Sequence, residues 1–379
     1  EQLSVITDDL TVFIMNIEAL STKRGYDFAY KFLLKNQTLV CVDESTTIKN
    51  HSAQRTKNIL KLSQHAKYKR IMTGSPVTKS PLDLFSQVQF LDPWLLDQQS
   101  YYSFRARYAV IVQRSVGTHS FQHIVKYQRL DELQEKIQHF STRVLKNDCL
   151  ELPEKVYTKR VVSLTAEQVK AYTEMKKAAI TFFDENVMTA ASVLTQIIRL
   201  HQIICGHVKT DDGEVKSIKS NRIKELLEVL EETNGKVIIW AVYRYDIQQI
   251  EKTLGDKYGK ESVATYYGDT KDSIRQSIVD RFMDPDDPLR FFVGNPKTGG
   301  YGLTLTSSHT VVYYSNDYSL EIRLQSEDRA HRIGQTNKVT YVDLIAENTI
   351  DEKIVKALNN KIDLASQVMG EDPKKILFS

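Results

Sequence analysis

The sequence predicts an α/β protein of two parallel-sheet domains with helical insertions. Three observations predict it. From Asn221 onward, short apolar runs at Lys236–Trp240, Val263–Tyr267, Arg290–Val293, Thr310–Ser315 and Val339–Ile345 are separated by helical patterns. Strands alternating with helices make a parallel sheet covered on both faces. Far upstream, Leu39–Val42 is another short, uniformly apolar run, the pattern of a strand buried on both sides. A length of 379 residues is enough for two cores.

Composition narrows the class further. Hydrophobic residues make up 41% and charged residues 26%, ordinary for a globular chain. The net charge of +3, from 51 basic and 48 acidic side chains, is too small to mark a nucleic-acid binder, so any basic surface must be local. No apolar run approaches ~18 residues, which predicts no membrane span, and no leader peptide is visible. The three cysteines, Cys41, Cys149 and Cys205, are too few for a disulfide framework and suggest a reducing compartment. His201, Cys205 and His207 lack the second ligand pair that structural zinc usually needs.

Taken in order, residues 12–20 (VFIMNIEAL) read as a strand running into a helix. Leu39–Val42 ends at Asp43-Glu44-Ser45-Thr46. Two adjacent carboxylates at the end of a buried strand are costly unless a cation or a reaction needs them, and ligands of open α/β sheets sit at this end. Asp43 could hold Mg²⁺ through water, and Glu44 could orient or deprotonate an attacking water. A helix over Gln54–Ser63 and a strand over Arg70–Met72 lead to Thr73-Gly74-Ser75-Pro76, small hydroxyls beside Gly and Pro in a rigid turn. Tyr101, Tyr102, Phe104, Arg105, Arg107 and Tyr108 interleave aromatics with cations. That mixture suits base stacking, but core packing with arginine heads reaching solvent is the preferred reading.

Leu152-Pro153 marks a boundary, because proline and its predecessor disfavour helix. Thr165 with Gln168 opens a helix as a capping box. A helix over Arg222–Glu232 precedes the alternating strands, and a last helix is capped by Thr349 and Glu352, with Ile350, Ile354, Leu358 and Ile362 on one side. The expected domains are therefore 1–150, a linker with helices over 151–220, and 221–379. Residues 294–305 (GNPKTGGYGLTL) place Gly299, Gly300 and Gly302 after a strand, where backbone amides can meet a phosphate. Finally, residues 325–335 (QSEDRAHRIGQ) set Gln325, Arg329 and Arg332 at i, i+4 and i+7, one face of a helix that Gly334 would end. Two guanidiniums one turn apart suit phosphate oxygens, although Glu327 and Asp328 could pair with them instead.

That eleven-residue stretch resembles the sixth motif of superfamily 2 ATPases in the form carried by SNF2-like (Swi2/Snf2) DNA translocases. Partner motifs follow in the family's order. Asp43-Glu44 with trailing Lys49-Asn50 resembles its acid motif, with Ser45-Thr46 where Ala-His or Ala-Gln is usual. Thr73-Gly74-Ser75-Pro76 resembles Thr-Gly-Thr-Pro, and Leu194–His207 resembles a family helix whose pattern accounts for His201, Cys205 and His207 without metal. Gly268-Asp269-Thr270 with Arg275, Ile278 and Phe282, and the Gly299-Gly300-x-Gly302 core, match the second lobe. Pro296-Lys297-Thr298 stands where Thr-Arg-Ala is usual, and Thr304 where Asn is usual.

The resemblance implies two RecA-like lobes with a helical protrusion from the first, and ATP and Mg²⁺ as cofactors. In it, Asp43 and Glu44 meet the metal and water, Arg329 and Arg332 meet the γ-phosphate, and Gln325 aligns the arginines. Gly300 and Gly302 would lie by phosphate, while Ser75, Lys297, Thr298 and Gly299 would contact DNA. It further implies movement on double-stranded DNA, with DNA-bound proteins as secondary partners, and a monomer. The location would be the cytoplasm, or the nucleus of a eukaryote; the short insertions favour a bacterial or phage origin. No G-x-x-x-x-G-K-[ST] phosphate loop occurs. The first lobe is therefore expected to be incomplete, and the 379-residue chain by itself to hydrolyse ATP poorly. A strand-separating DNA or RNA helicase, and a non-hydrolysing DNA scaffold, are the competing readings. The sixth-motif form argues against the first, and the intact acids and arginines against the second.

Overall fold

The structure, a computed structural model, describes residues 10–116, 119–184, 190–210, 212–299 and 302–369. The chain forms two compact units, one from the described parts of 1–115, 120–142 and 363–373, the other from those of 116–119, 143–362 and 374–379.

In the first unit, residues 10–16 are irregular and Asn16 caps a short 3-10 helix, Ile17–Ser21. Of the strand expected to run into a helix over 12–20, the helical part forms and the strand does not. Val12 and Ile14 are exposed, with no neighbouring strand among the described residues to take their backbone groups. Helix Lys23–Lys35 leads to strand β1, Leu39–Val42, and helix Gln54–Ser63 to strand β2, Tyr68–Ile71. The two strands pair in parallel, Leu39 opposite Tyr68 and Val42 opposite Ile71. Val42 packs with Leu20, Leu33, Ile59, Leu62 and Phe90. The other face carries Leu39 and Tyr68, each 60% exposed. β1 is thus buried on one side only: among the described residues no layer covers the face that carries Leu39 and Tyr68.

Helix Tyr101–Tyr108 runs directly into strand β3, Ala109–Val116, which pairs with strand β4, His119–Tyr127, before helix Leu130–Gln138. The expected helical protrusion is therefore partly a two-stranded ribbon. Its β-branched pairs, Val110-Ile111 and Ile124-Val125, favour extended backbone. The helix divides the aromatic–basic cluster. Phe104 and Tyr108 are fully buried, Tyr102 is exposed, and Arg107 pairs with Glu132 at 2.7 Å.

In the second unit, strand β5, Lys155–Val161, falls inside the segment that reads in sequence as linker and helices. It forms the edge of a six-stranded sheet and lies mostly exposed, so it has no apolar run to announce it. Helices Ala166–Asp184 and Ala190–Cys205 follow, then a small antiparallel pair, β6 (His207–Lys209) and β7 (Val215–Ser217). The sheet continues through β8 (Lys236–Trp240), β9 (Val263–Tyr266), β10 (Phe291–Gly294), β11 (Ser308–Tyr313) and β12 (Val339–Ile345). The strand order is β5-β12-β11-β8-β10-β9, and every pairing is parallel. Alternation along the strands builds a core on each face. Val237, Ile239, Phe291, Val293 and Val312 pack against helices Arg222–Glu231 and Arg244–Tyr258. Ile238, Trp240, Phe292, Val311 and Tyr313 pack against Ile278 and Phe282 of helix Asp272–Met283. This is the parallel sheet covered on both faces that the alternating pattern predicts, and it fits the RecA-like second lobe that the resemblance implies.

Candidate nucleotide site and nucleic-acid contacts

In the first unit, β1 delivers Asp43 and Glu44 at its carboxyl end. Glu44 has φ 47° and ψ 58°, the left-handed region, which costs a residue with a Cβ about 1–2 kcal/mol. Its amide donates to Asp43 Oδ1 at 2.9 Å, so the two carboxylates share one tight corner. The corner is pinned to Met72, just past the end of β2: Met72 N donates to Val42 O and Ser45 N donates to Met72 O. Asp43 is exposed, and its hard oxygens suit Mg²⁺.

The unusual Ser45 has a structural reason. Ser45 is fully buried, and its hydroxyl donates to Gln87 Oε1 at 2.7 Å. Gln87 Nε2 then donates to the carbonyls of Pro76 at 2.9 Å and Asp83 at 2.7 Å. Lys49 Nζ reaches Thr78 Oγ1 at 2.7 Å, and Asp83 accepts from the amides of Thr78, Lys79 and Ser80. The turn at 73–76 is thereby tied to the acid corner by a chain of buried polar groups. Ser75 itself is half-buried, its amide held by Thr73 Oγ1. Replacing Gln87 by Leu strands the Ser45 hydroxyl, with an expected loss of about 1–3 kcal/mol. Adding Ser45→Ala should recover part of that loss in a thermal-melt double-mutant cycle, and additive midpoints would deny the coupling.

In the second unit, the glycine-rich segment is less open than its composition suggests. Pro296–Gly299 forms a helical turn in which Gly299 N donates to Asn295 O at 2.9 Å. That amide is already engaged. Gly299 is required by packing instead, since a Cβ there would lie 2.7 Å from the Trp240 ring, as would one on Gly294. Lys297 is exposed and Thr298 half-buried, its amide also on Asn295 O. Gly300 lies outside the described residues. Gly302 has φ +74°, a conformation that favours glycine.

The residues of the sixth motif do not share one helix. Helix Leu320–Glu327 stops seven residues before Gly334. The carbonyl of Glu327 is taken by Tyr341 Oη–H and by the amides of Ala330 and His331, while that of Arg329 accepts from Leu305 N. Arg329 Nε donates to Gln325 O at 2.8 Å, a cation at the helix's negative end. The contact of Gln325 with Arg329 thus runs through its carbonyl. Arg329 Nη1 donates to Leu303 O at 3.1 Å, and Arg332 Nη1 approaches the same oxygen at 3.4 Å and Thr304 Oγ1 at 3.3 Å. Both guanidiniums converge beside Gly302.

Glu327 and Asp328 have other cationic partners. Buried Glu327 meets Arg323 at 2.7 Å, Tyr157 Oη at 2.7 Å and Lys155 at 3.6 Å. Asp328 meets Lys146 at 2.5 Å and Lys155 at 3.7 Å. Arg323 also forks onto Asp343 and lies 3.6 Å over the Tyr313 ring. His331 is buried, its Nε2–H donating to Pro153 O at 2.7 Å, and burial lowers its pKa. Gln335 Nε2 donates to the carbonyls of Thr306, Ser308 and Ala330. Within the motif, then, Glu327, Asp328, Ala330, His331 and Gln335 build the turn that presents the two arginines. The sequence does not separate these roles.

The His–Cys cluster is a polar core. His207 Nδ1 meets Asp246 at 3.1 Å; His201 meets Tyr243 Oη at 2.9 Å and Asp351 at 3.4 Å. Asp351 also pairs with fully buried Arg222, whose remaining donors reach the carbonyls of Ile204, Tyr314 and Leu344. Sequence reading missed Arg222, which looks like an ordinary first-turn helix cation.

Comparison with known proteins agrees with the motif order. Residues 6–209 match the SNF2-related domain, and residues 219–334 match the helicase conserved C-terminal domain. YwqA of Bacillus subtilis (strain 168), named as an ATP-dependent helicase/translocase, is 27% identical, covering 96% of this chain. The Mycoplasma genitalium ATP-dependent helicase MG018 is 28% identical over 88% of it. The SWI/SNF chromatin-remodeling complex subunit snf22 of Schizosaccharomyces pombe is 27% identical over 90%. The chain spans 39%, 31% and 22% of the lengths of these relatives. A solved Sulfolobus solfataricus SWI2/SNF2 ATPase core in complex with dsDNA is 25% identical. The match covers 92% of this chain and 73% of that one, with a TM-score of 0.46. With the first family model alone covering more than half of its residues, the chain belongs to the SNF2-related family.

Proposed function

We propose that this chain is part of an ATP- and Mg²⁺-dependent motor that moves on double-stranded DNA. The observation that carries the reading is the convergence of Arg329 and Arg332 on the Leu303 carbonyl, beside Gly302. Two guanidiniums gathered at a glycine-rich turn supply positive charge where phosphate oxygens can approach. Arg329 and Arg332 would stabilise the transferring γ-phosphoryl group, Gln325 holding the first through its carbonyl. Asp43 would hold Mg²⁺ through water, and Glu44 would orient or deprotonate the attacking water. Bound Mg²⁺ supplies charge neutralisation at the phosphates. The Glu44 left-handed backbone supports that role, since strained residues cluster at reacting centres.

Gly300 and Gly302 would lie along the nucleotide phosphates. Ser75, Lys297, Thr298 and the Gly299 turn would meet the DNA backbone, giving salt-dependent, sequence-tolerant binding. We read the protein as a monomer of bacterial or phage origin acting in the cytoplasm, or in the nucleus of a eukaryote. Its short insertions support the first origin; the relatives include bacterial and fungal proteins. No helix among the described residues is long and apolar enough to cross a membrane.

The test is ATP turnover by the whole gene product with duplex DNA, single strands or RNA of equal length. Duplex should stimulate most, and Glu44→Gln should lower turnover by about 10²–10⁴-fold. Equal stimulation by RNA or single strands would favour a strand-separating helicase; unchanged turnover in the Glu44 variant would remove the acid from the mechanism.

A further inference from the structure

The β3–β4 ribbon has no part in the chemistry described above, yet its charge is lopsided. Between Asp97 and Asp131 the sequence holds no carboxylate side chain, while Arg105, Arg107, Arg114, Lys126 and Arg129 all fall there. The whole chain is nearly balanced, at 51 basic against 48 acidic residues, so this is a local excess. Of these cations, Arg107 is neutralised by Glu132 at 2.7 Å. Arg114 and Lys126 are exposed, one on each strand, and neither has a carboxylate partner among the described residues. Phe121 and Val125 on β4 are also exposed, at 47% and 53%, although the unit's core lies elsewhere.

We infer that this ribbon is a second DNA-contacting element, laying Arg114 and Lys126 against the phosphates of duplex DNA. The inference rests on the proposed action on duplex DNA and adds a contact outside the motifs. Charge complementarity selects the occupant, since an isolated basic surface gains most from a polyanion. Shape agrees, because a two-stranded ribbon fits the major groove of B-form DNA.

The experiment is a salt series of duplex binding by the whole gene product and by its Arg114→Ala/Lys126→Ala variant. Each lost phosphate contact should lower the slope of log K against log salt by about 0.9, so the variant should lose about 1.8. At 0.1 M salt this corresponds to roughly 10–100-fold weaker binding. Both residues are exposed, so the thermal midpoint should not move. Lys224→Ala, an equally exposed cation in the second unit, should leave the slope within about 0.3 of the parent. A parent that binds duplex, with an unchanged slope in the double variant, overturns the ribbon contact alone. A parent that does not bind duplex overturns the motor reading and this inference with it.

Discussion

Replacing Arg332 by alanine is expected to lower ATP turnover by about three to five orders of magnitude, the contribution of an arginine aimed at a transferring phosphoryl group. The change should leave the fold intact. Arg332 is exposed, and its bonds to Leu303 O and Thr304 Oγ1, at 3.4 and 3.3 Å, are long. Arg329→Ala should cost similar turnover and some stability as well, because Arg329 closes the helix end on Gln325 O at 2.8 Å. Arg332→Lys keeps the charge but loses the planar fork, and should restore only part of the rate. Phosphate release under saturating ATP and duplex DNA measures all three, in a form of the protein that turns over ATP. An Arg332→Ala variant within tenfold of the parent would take the arginine out of the chemistry.

The second large effect is on stability. Arg222→Met is expected to destabilise the second unit by about 3–5 kcal/mol, because it leaves Asp351 charged and buried without its partner. Asp351 shows the balance of forces. Burial alone would raise its carboxyl, but Arg222 and then His201 outweigh burial and hold it down to about 2. The folded pKa lies below the unfolded one of ~3.9, so the stability it confers is fully present above pH ~4. It is lost as pH falls from there through about 2. The amount is on the order of 2–3 kcal/mol. Thermal midpoints of the parent and of Asp351→Asn should differ widely at pH 7 and converge towards pH 2–3. A gap that does not narrow on acidification would mean the carboxylate titrates elsewhere.

Much of the second unit is legible in the sequence. The β8 and β12 runs stand at their expected bounds, because strands buried on both faces are largely apolar; the one carboxylate in β12, Asp343, is held by Arg323. The Thr165–Gln168 capping box forms as spelled, because its bonds are local. What failed to show was whatever depends on a distant partner. β5 is exposed and charged, and becomes a strand only because β12 pairs along its length. The arginine helix was expected to reach Gly334, yet it ends at Glu327. Beyond it, Leu305 N donates to the Arg329 carbonyl that a continuing helix would give to Ile333 N.

The family, the parallel β/α order of the second unit, and the residue types of the acid pair and the two arginines can all be read along the chain. Each is written in contiguous spacing, where apolar periodicity and short motifs act. Folding in three dimensions is what makes Gly299 serve Trp240 and Ser45 serve Gln87, and what pairs Glu327 and Asp328 with Arg323, Lys146 and Lys155. Most of those partners lie tens of residues away in the chain. Which oxygen a buried donor finds is fixed by packing in three dimensions, where leaving one unpaired is costly.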